Sequence, residues 1–158
     1  MKSTATIRPA RPDDADGIAR VHVQGWRETY TGIMPDRVLA NLSEERRAVW
    51  WRHVIENETT TRCAVAEQDG EVVGFASAGP ARDDDAERDL ELFTIYTLSS
   101  MYGTGVGQAL LDSVLGEEPA ILWIAEVNPR AQAFYRKNGF ELDGASKFDG
   151  ISEVRMLR

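Results

Sequence analysis

The stretch Met101–Asp112, MYGTGVGQALLD, contains Gly103, Gly105 and Gly107 at alternate positions, and an apolar run typical of a helix follows them directly. The first turn of a helix has backbone N–H groups without partners, at the positive end of the helix dipole. Glycines let an anion approach such amides because they carry no side chain. The stretch therefore predicts a backbone site for a phosphate group, with a tight turn that binds no ligand as the alternative.

The spacing of these glycines restricts which phosphate ligand the loop can hold. No Lys-Ser or Lys-Thr pair follows Gly107, so the loop does not match the P-loop of nucleoside triphosphatases. G-x-G-x-G also differs from the G-x-G-x-x-G of dinucleotide-binding folds, and no β-α-β unit stands at the N-terminus. The pyrophosphate of another cofactor remains. A nucleotide-binding module that uses the loop for a different pyrophosphate stays open.

The regions around the loop alternate between strand and helix patterns. LELFTIYTL before it and AILWIAEV after it read as strands, and NPRAQAFYRKNGF reads as a helix that opens with Asn-Pro. This order predicts parallel pairing at the centre of a sheet. Earlier, the runs RCAVAE and EVVGFASAG are joined by QDG, which predicts a hairpin. The first third is mostly helical, two strands close the chain, and no linker or repeat divides residues 1–158, so we expect one domain.

Composition excludes several classes of partner. The formal net charge of −8 argues against nucleic-acid binding, which needs clustered Lys and Arg. No apolar run is long enough to span a membrane, and a single cysteine cannot form an internal disulfide. His22 and His53 lack the spacing of a metal site. We therefore expect a cytoplasmic protein that has no metal and does not bind membranes.

Two motifs carry a resemblance to a known family. Residues 95–111, IYTLSSMYGTGVGQALL, resemble the acyl-CoA loop of the GNAT superfamily of N-acetyltransferases, and residues 128–141, NPRAQAFYRKNGFE, resemble its second motif. With the preceding hairpin they cover Cys63–Glu141. The resemblance implies an α/β (α+β) fold with a mixed sheet of about six to seven strands and about four helices. It also implies acetyl-CoA as cofactor and direct transfer of the acetyl group to a primary amine of a small molecule or peptide in a ternary complex.

The resemblance also implies which residues bind the cofactor. The family carries Arg or Gln where this chain has Tyr102, which leaves a noncatalytic acyl-CoA sensor open as an alternative. A bulge in the strand is expected to free the backbone N–H groups of Thr97 and Leu98 for the thioester carbonyl and the pantetheine arm. The expected cofactor-binding residues are Tyr96, Thr97, Leu98, Tyr102, Gly103, Thr104, Gly105, Val106, Gly107, Gln108, Asn128 and Tyr135.

Catalytic and acceptor-binding roles follow from the same resemblance. Tyr135 stands at the position of the family's general acid, and Glu91 at the position where members often carry the general base. Trp26 and Tyr30 fall at the end of the first helix, where the family builds its acceptor pocket. Relatives often pair through their C-terminal strands, so a homodimer is the expectation.

Other reactive or bulky side chains are expected to serve packing. Cys63 offers a covalent alternative, but a cysteine within a strand pattern is more often part of the core. Trp50, Trp51 and Trp123 are expected to pack in the interior.

Overall fold

The computed structural model describes residues 4–148 and 150–158. Within them, seven strands form one mixed sheet in the order β1-β2-β3-β4-β5-β7-β6. The elements are β1 (Thr6–Pro9), α1 (Ala15–Tyr30), α2 (Asp36–Ala40), α3 (Glu44–Asn57), β2 (Arg62–Gln68), β3 (Glu71–Pro80), β4 (Leu90–Thr97), α4 (Val106–Val114), β5 (Ile121–Ala125), α5 (Pro129–Lys137), β6 (Glu141–Phe148) and β7 (Ser152–Leu157). The predicted α/β class and strand number are confirmed. The described α-helices number five, where about four were expected, because α2 forms a short separate helix after Pro35.

The centre of the sheet contains the predicted parallel pair. β4 and β5 pair only through Glu91 with Ile121 and Leu92 with Leu122. Beyond these residues the strands are no longer paired, although β4 continues to Thr97 and β5 to Ala125. The sheet is therefore open between the carboxyl ends of its two central strands.

Helices cover both faces of the sheet and bury two apolar clusters. On one face Leu110, Leu111 and Phe140 are fully buried with residues of β2 to β5. On the other face Ile18 of α1 packs with Trp51 of α3 and with the sheet. The helical spacing predicted for α1 is confirmed, because its periodic apolar residues lie on the buried side.

On α3, Trp51 packs in the interior as predicted, whereas Trp50 does not. Trp51 and Val54 are buried, whereas Val49 is 72% exposed and Trp50 is 49% exposed. Trp50 only packs against the edge of the Trp51 ring, with centroids 4.7 Å apart. Because adjacent residues lie about 100° apart on a helix, burial of Trp51 turns Trp50 toward the surface.

Two segments that connect strands are the turn between β2 and β3 and the loop 81–89 between β3 and β4. The predicted hairpin between β2 and β3 is confirmed, with Asp69 and Gly70 both at positive φ as a tight hairpin turn requires. The acidic loop 81–89 is largely exposed, in agreement with the solvated surface that its composition predicts, and two of its carboxylates also bind the sheet. Arg155 of β7 forms ion pairs with Asp83 and Asp85 of this loop and with Asp143 of β6.

Trp123, which was expected in the interior, instead contacts the acidic loop 81–89. Its indole Nε1 donates a hydrogen bond to Asp83 at 2.6 Å, and the Lys147 ammonium lies 4.2 Å from its ring centroid.

No helix among the described residues combines the length and the apolar character needed to cross a membrane.

Candidate active site

A cleft occupies the opening between β4 and β5, with α1 on one side and α5 on the other. It brings together seven residues singled out from the sequence, namely Tyr30, Tyr96, Thr97, Tyr102, Gly107, Asn128 and Tyr135. Sequence reasoning missed the other lining residues, which are Gly25, Glu28, Thr29, Ile33, Ile95, Ala125, Val127, Arg130, Ala131 and Phe134. Most of these flank a motif residue or belong to α1, which carries no recognisable motif.

The glycine loop enters α4 at the edge of this cleft. Gly103 and Gly105 have φ values of +77° and +87°, which L side chains rarely adopt, and space is open around both. The backbone N–H groups of Gly103, Gly105, Gly107 and Gln108 donate to no described residue. The two residues between the glycines use their N–H groups within the loop. Thr104 donates to the Met101 carbonyl, and Val106 donates to the Thr104 hydroxyl. Four of the six loop amides are therefore available to a ligand.

The free amide near the end of β4 belongs to Thr97 and not to Leu98. Leu98 donates its N–H to the Val73 carbonyl of β3 at 3.0 Å. The irregularity in β4 lies further back, opposite Ser77 and Ala78, so it does not free Leu98 as the sequence predicted. Successive residues of a strand point their N–H groups to opposite edges, so Thr97 directs its N–H toward β5, which no longer pairs there.

Tyr135 lies on the buried side of α5 and faces the cleft. Pro129 begins this helix, and Asn128 caps it by accepting a hydrogen bond from the Ala131 N–H at 3.1 Å, as the Asn-Pro pair predicts. Burial raises the pKa of Tyr135 well above its usual value, so the phenol is protonated at neutral pH. Its hydroxyl bonds to no described residue and is not sealed from the cleft.

Tyr96 forms the floor of the cleft on the α1 side. Its ring stacks on His22 with centroids 5.2 Å apart and also contacts Phe75. Burial raises the pKa of Tyr96, with smaller contributions from neighbouring groups that include Tyr135. A Cβ atom at Gly25 of α1 would stand 2.7 Å from the Tyr96 ring. A glycine in the middle of an amphipathic helix was the available sequence signal for this close approach.

The two residues predicted for the acceptor pocket lie in different places. Tyr30 lines the cleft, and burial raises its pKa. Trp26 stands behind it, with ring centroids 4.9 Å apart, and is not among the lining residues. Trp26 can therefore support the position of Tyr30 without reaching the cleft.

Glu91 is not brought together with Tyr135. It lies five positions before Tyr96 on β4, a separation of about 16 Å along the strand. Its carboxylate is only 2% exposed and accepts hydrogen bonds from the backbone N–H and the guanidinium of Arg82. It does not line the cleft.

Cys63 also lies away from the cleft. It lines a separate cavity beside Pro9 and Val54, and burial raises the pKa of its thiol to about 12. A thiol in this environment is protonated at neutral pH and is a poor nucleophile. The expectation of a packing role agrees with this position.

Arg130 supplies a positive charge next to Tyr102, where the sequence motif lacks one. Its guanidinium carbon lies 3.3 Å from the centroid of the Tyr102 ring, and both residues line the cleft. Within residues 4–148 and 150–158, Arg130 has no carboxylate partner. An unpaired cation beside four free amides gives this end of the cleft an anion-binding character.

Comparison with known proteins identifies the family. The sequence model of the acetyltransferase (GNAT) domain matches residues 59–142. The chain is 34% identical to the uncharacterized N-acetyltransferase YuaI of Bacillus subtilis, over 96% of this chain and 88% of that protein. It is 38% identical to the uncharacterized N-acetyltransferase Rv2669 of Mycobacterium tuberculosis, over 85% of this chain and 88% of that protein.

Solved structures share the fold over nearly the whole chain. A ribosomal-protein-alanine N-acetyltransferase from Brucella melitensis superposes with a TM-score of 0.73 at 26% identity, over 97% of this chain and 98% of that one. The structure of yncA from Salmonella typhimurium with its cofactor acetyl-CoA superposes with a TM-score of 0.72 at 22% identity, over 99% of this chain and 94% of that one. On the family match, the identity to these relatives and the shared fold, this chain is a member of the GNAT superfamily and an N-acetyltransferase.

Proposed function

We propose that the protein transfers the acetyl group of acetyl-CoA directly to a primary amine of a small molecule or peptide, within a ternary complex. The observation that carries this proposal is that Tyr135, whose protonated hydroxyl has no described partner, lines a cleft that is bordered at Gly107 by the loop with four unpaired amides. One end of the cleft suits a phosphate-bearing ligand, and the other has a proton donor and space for an acceptor.

The residues present fit coenzyme A. The N–H groups of Gly103, Gly105, Gly107 and Gln108 would hold the pyrophosphate, since no internal acceptor competes for them. Arg130 would provide the side-chain contact to the pyrophosphate that the family's Arg or Gln makes at the position of Tyr102. Bound acetyl-CoA supplies an acetyl group activated as a thioester.

The chain's own residues would then stabilise the charges of the reaction. The Thr97 N–H, which has no strand partner, would donate to the acetyl carbonyl oxygen as negative charge develops there. As the new C–N bond forms and the C–S bond breaks, Tyr135 would give its hydroxyl proton to the departing sulfur and regain one from solvent. The amine must arrive neutral, and it loses a proton to water as the amide forms.

The acceptor would enter between α1 and β5. Tyr30, Thr29 and Glu28 line this side of the cleft. Glu91 as the general base remains a prediction, and its ion pair with Arg82 weighs against that role. A solvent molecule at the open side of the cleft can accept the amine proton without Glu91.

The test is a Tyr135→Phe variant, which keeps the ring and removes the proton donor. We expect kcat for acetyl transfer to an amine panel to fall by about 10²-fold or more, the range for loss of a general acid. Affinity for acetyl-CoA, measured by calorimetry, should stay within about twofold. All four tyrosines line the cleft, so binding and thermal melting serve as controls in place of a second Tyr→Phe variant.

Three outcomes would contradict parts of the proposal. An unchanged kcat in Tyr135→Phe would remove this residue as the acid. Acetyl-CoA binding by the wild type without transfer to any amine would favour the noncatalytic sensor. Thermal stabilisation by ATP or NAD, with none by acetyl-CoA, would favour the nucleotide-binding module.

A further inference from the structure

Two side chains connect the first turn of α4 to the end of α5. Gln108 follows the glycine loop, and its side-chain Nε2 donates a hydrogen bond to Oδ1 of Asn138 at 2.7 Å. Asn138 is the C-cap of α5, and its own Nδ2 donates to the Phe134 carbonyl at 2.9 Å. This pair of side chains, the α4–α5 bridge, therefore joins the turn that carries loop amides to the turn that carries Tyr135.

The hydrogen-bonding groups of Asn138 are all engaged, which holds this residue in one orientation. Its backbone N–H donates to the Tyr135 carbonyl at 2.9 Å, and its backbone carbonyl accepts from the Arg158 guanidinium at 3.1 Å. Gln108 Nε2 also donates to the Asp112 carboxylate at 2.9 Å. Because a carboxylate only accepts, this atom of Gln108 is a donor, and Asn138 must present its oxygen to it.

The bridge adds direction to an apolar contact between the two helices. Val106 and Leu110 of α4 pack in the same cluster as Tyr135 and Phe134 of α5. Apolar contacts are non-directional, so they limit the distance between helices more than their register. The bond between the half-buried side chains of the bridge has one donor and one acceptor, and it fixes the register of the two turns.

The two turns that the bridge joins belong to the two ends of the proposed site. The free N–H groups of Gly107 and Gln108 belong to the first turn of α4, whereas Arg130 and Tyr135 belong to α5. In coenzyme A a pantetheine arm of fixed length joins the pyrophosphate to the sulfur. The sulfur therefore meets the Tyr135 hydroxyl only if the loop and α5 keep the matching separation.

We propose that Asn138 is a positioning residue for acetyl transfer, which acts through Gln108 to hold the loop amides in register with Tyr135. This inference rests on the proposed acetyl transfer and adds a residue outside the cleft to it. Asn138 is not among the residues that line the cleft, so it is not a catalytic residue. Its effect is on the placement of the phenol relative to the cofactor.

The experiment is a double-mutant cycle of Gln108→Ala and Asn138→Ala, with kcat/KM for acetyl-CoA as the measured quantity. We expect each single variant to lose about tenfold, since a misplacement of about 1 Å can lower a rate by about 10²-fold. The double variant should be no slower than either single variant, because the second substitution removes a bond that is already lost. Additive losses, or unchanged rates in both single variants, would overturn the proposal.

A second cycle tests whether Asn138 acts through the phenol. In a Tyr135→Phe protein the proton donor is absent, so its placement no longer matters. Asn138→Ala should then cause little further loss of kcat/KM, whereas a general loosening of the fold would slow both proteins equally. Urea denaturation shows that each variant is folded under the conditions of the assay. An equal loss with and without the Tyr135 hydroxyl would overturn the positioning role.

Asp112→Ala is the matched control, because it removes the other acceptor of the same Gln108 amide. Asp112 is exposed and lies within α4, so this variant keeps the bridge and should keep the wild-type kcat/KM. Asn138→Asp keeps an oxygen for Gln108 and loses the donor to Phe134. It should be less stable in urea, because a carboxylate at a helix C-terminus is unfavourable, yet retain kcat/KM within about threefold. A loss in Asp112→Ala equal to that in Asn138→Ala, or an Asn138→Asp variant as slow as Asn138→Ala, would overturn the proposal.

A binding measurement separates failure of this inference from failure of the proposed function. Coenzyme A and pantetheine are titrated by calorimetry into the wild type and Asn138→Ala. We expect about fivefold weaker binding of coenzyme A, which spans the loop and α5, and unchanged binding of pantetheine, which has no pyrophosphate for the loop. If the wild type acetylates no amine, the proposed function fails and this comparison decides the inference. Unchanged affinity for coenzyme A, or an equal loss for both ligands, would then overturn it.

Discussion

Replacing Gly25 with alanine tests whether the position of Tyr96 controls the chemistry of the cleft. The new Cβ would stand 2.7 Å from Cδ1 and 3.3 Å from Cγ of Tyr96. Carbon atoms prefer separations of about 3.5–4.0 Å, so the ring must move by roughly 1 Å. His22 and Phe75 pack against this ring, which limits its movement into the core and directs it toward the cleft.

The expected effects on stability and on activity differ in size. Overpacking costs about 1–3 kcal/mol, and alanine in place of glycine within a helix recovers about 1 kcal/mol. The free energy of unfolding should therefore fall by no more than about 2 kcal/mol. A displacement of about 1 Å at a reacting centre can lower the rate by about 10²-fold, so we expect kcat/KM to fall by at least tenfold.

Gly17→Ala is the matched control for this variant. Its Cβ would stand 2.8 Å from Cγ2 of Val72, a similar clash on the same helix but away from the cleft. Urea denaturation should show comparable losses of stability in the two variants, and steady-state acetyl transfer should fall only in Gly25→Ala. Wild-type activity in Gly25→Ala, or an equal loss in Gly17→Ala, would refute the link between helix approach and catalysis.

Two further predictions concern a buried histidine and the cofactor end of the cleft. Burial lowers the pKa of His22 to about 4, whereas the unfolded chain protonates this imidazole near pH 6.5. Between these pH values only the unfolded chain binds the proton, so the free energy of unfolding should fall by about 3 kcal/mol as the pH drops from 6.5 to 4. Urea denaturation at several pH values should show a flatter dependence in His22→Gln but not in the exposed His53→Gln. Arg130→Ala should lower the affinity for coenzyme A, measured by calorimetry, by about tenfold and leave the affinity for pantetheine unchanged. Lys137→Ala, in the last turn of the same helix, should change neither affinity. An equal loss of affinity for both ligands in Arg130→Ala would contradict a phosphate contact.

Features that depend on neighbours along the chain were predictable from the sequence. The hairpin turn at Asp69-Gly70, the cap of α5 at Asn128 and the glycine entry into α4 all arise from contacts within four residues. Such contacts join residues that are close along the chain, and the residue type decides them through its allowed φ values and its short polar side chain. The fold class and the parallel central pair followed from the order of these elements.

Features that depend on distant segments were decided by the tertiary structure. Glu91 reads as a strand-edge carboxylate, but the path of the chain after β3 places Arg82 against it. Leu98 reads as part of a freed strand end, yet its N–H is taken by Val73 of β3. The buried face of α3 is likewise set by distant contacts, because Trp51 and not Trp50 packs against α1 and the sheet.

The contrast is sharpest at the cleft itself. The amino-acid sequence by itself determined that a glycine loop would open a helix and that Tyr135 would follow a well-capped turn on α5. Only the packing of the helices decided that the end of α5 meets the start of α4, which brings Asn138 next to Gln108, 30 positions earlier in the chain. Local backbone preferences extend over a few residues, whereas the shape of this cleft comes from helices and strands whose adjacency is fixed by burial of both faces of the sheet.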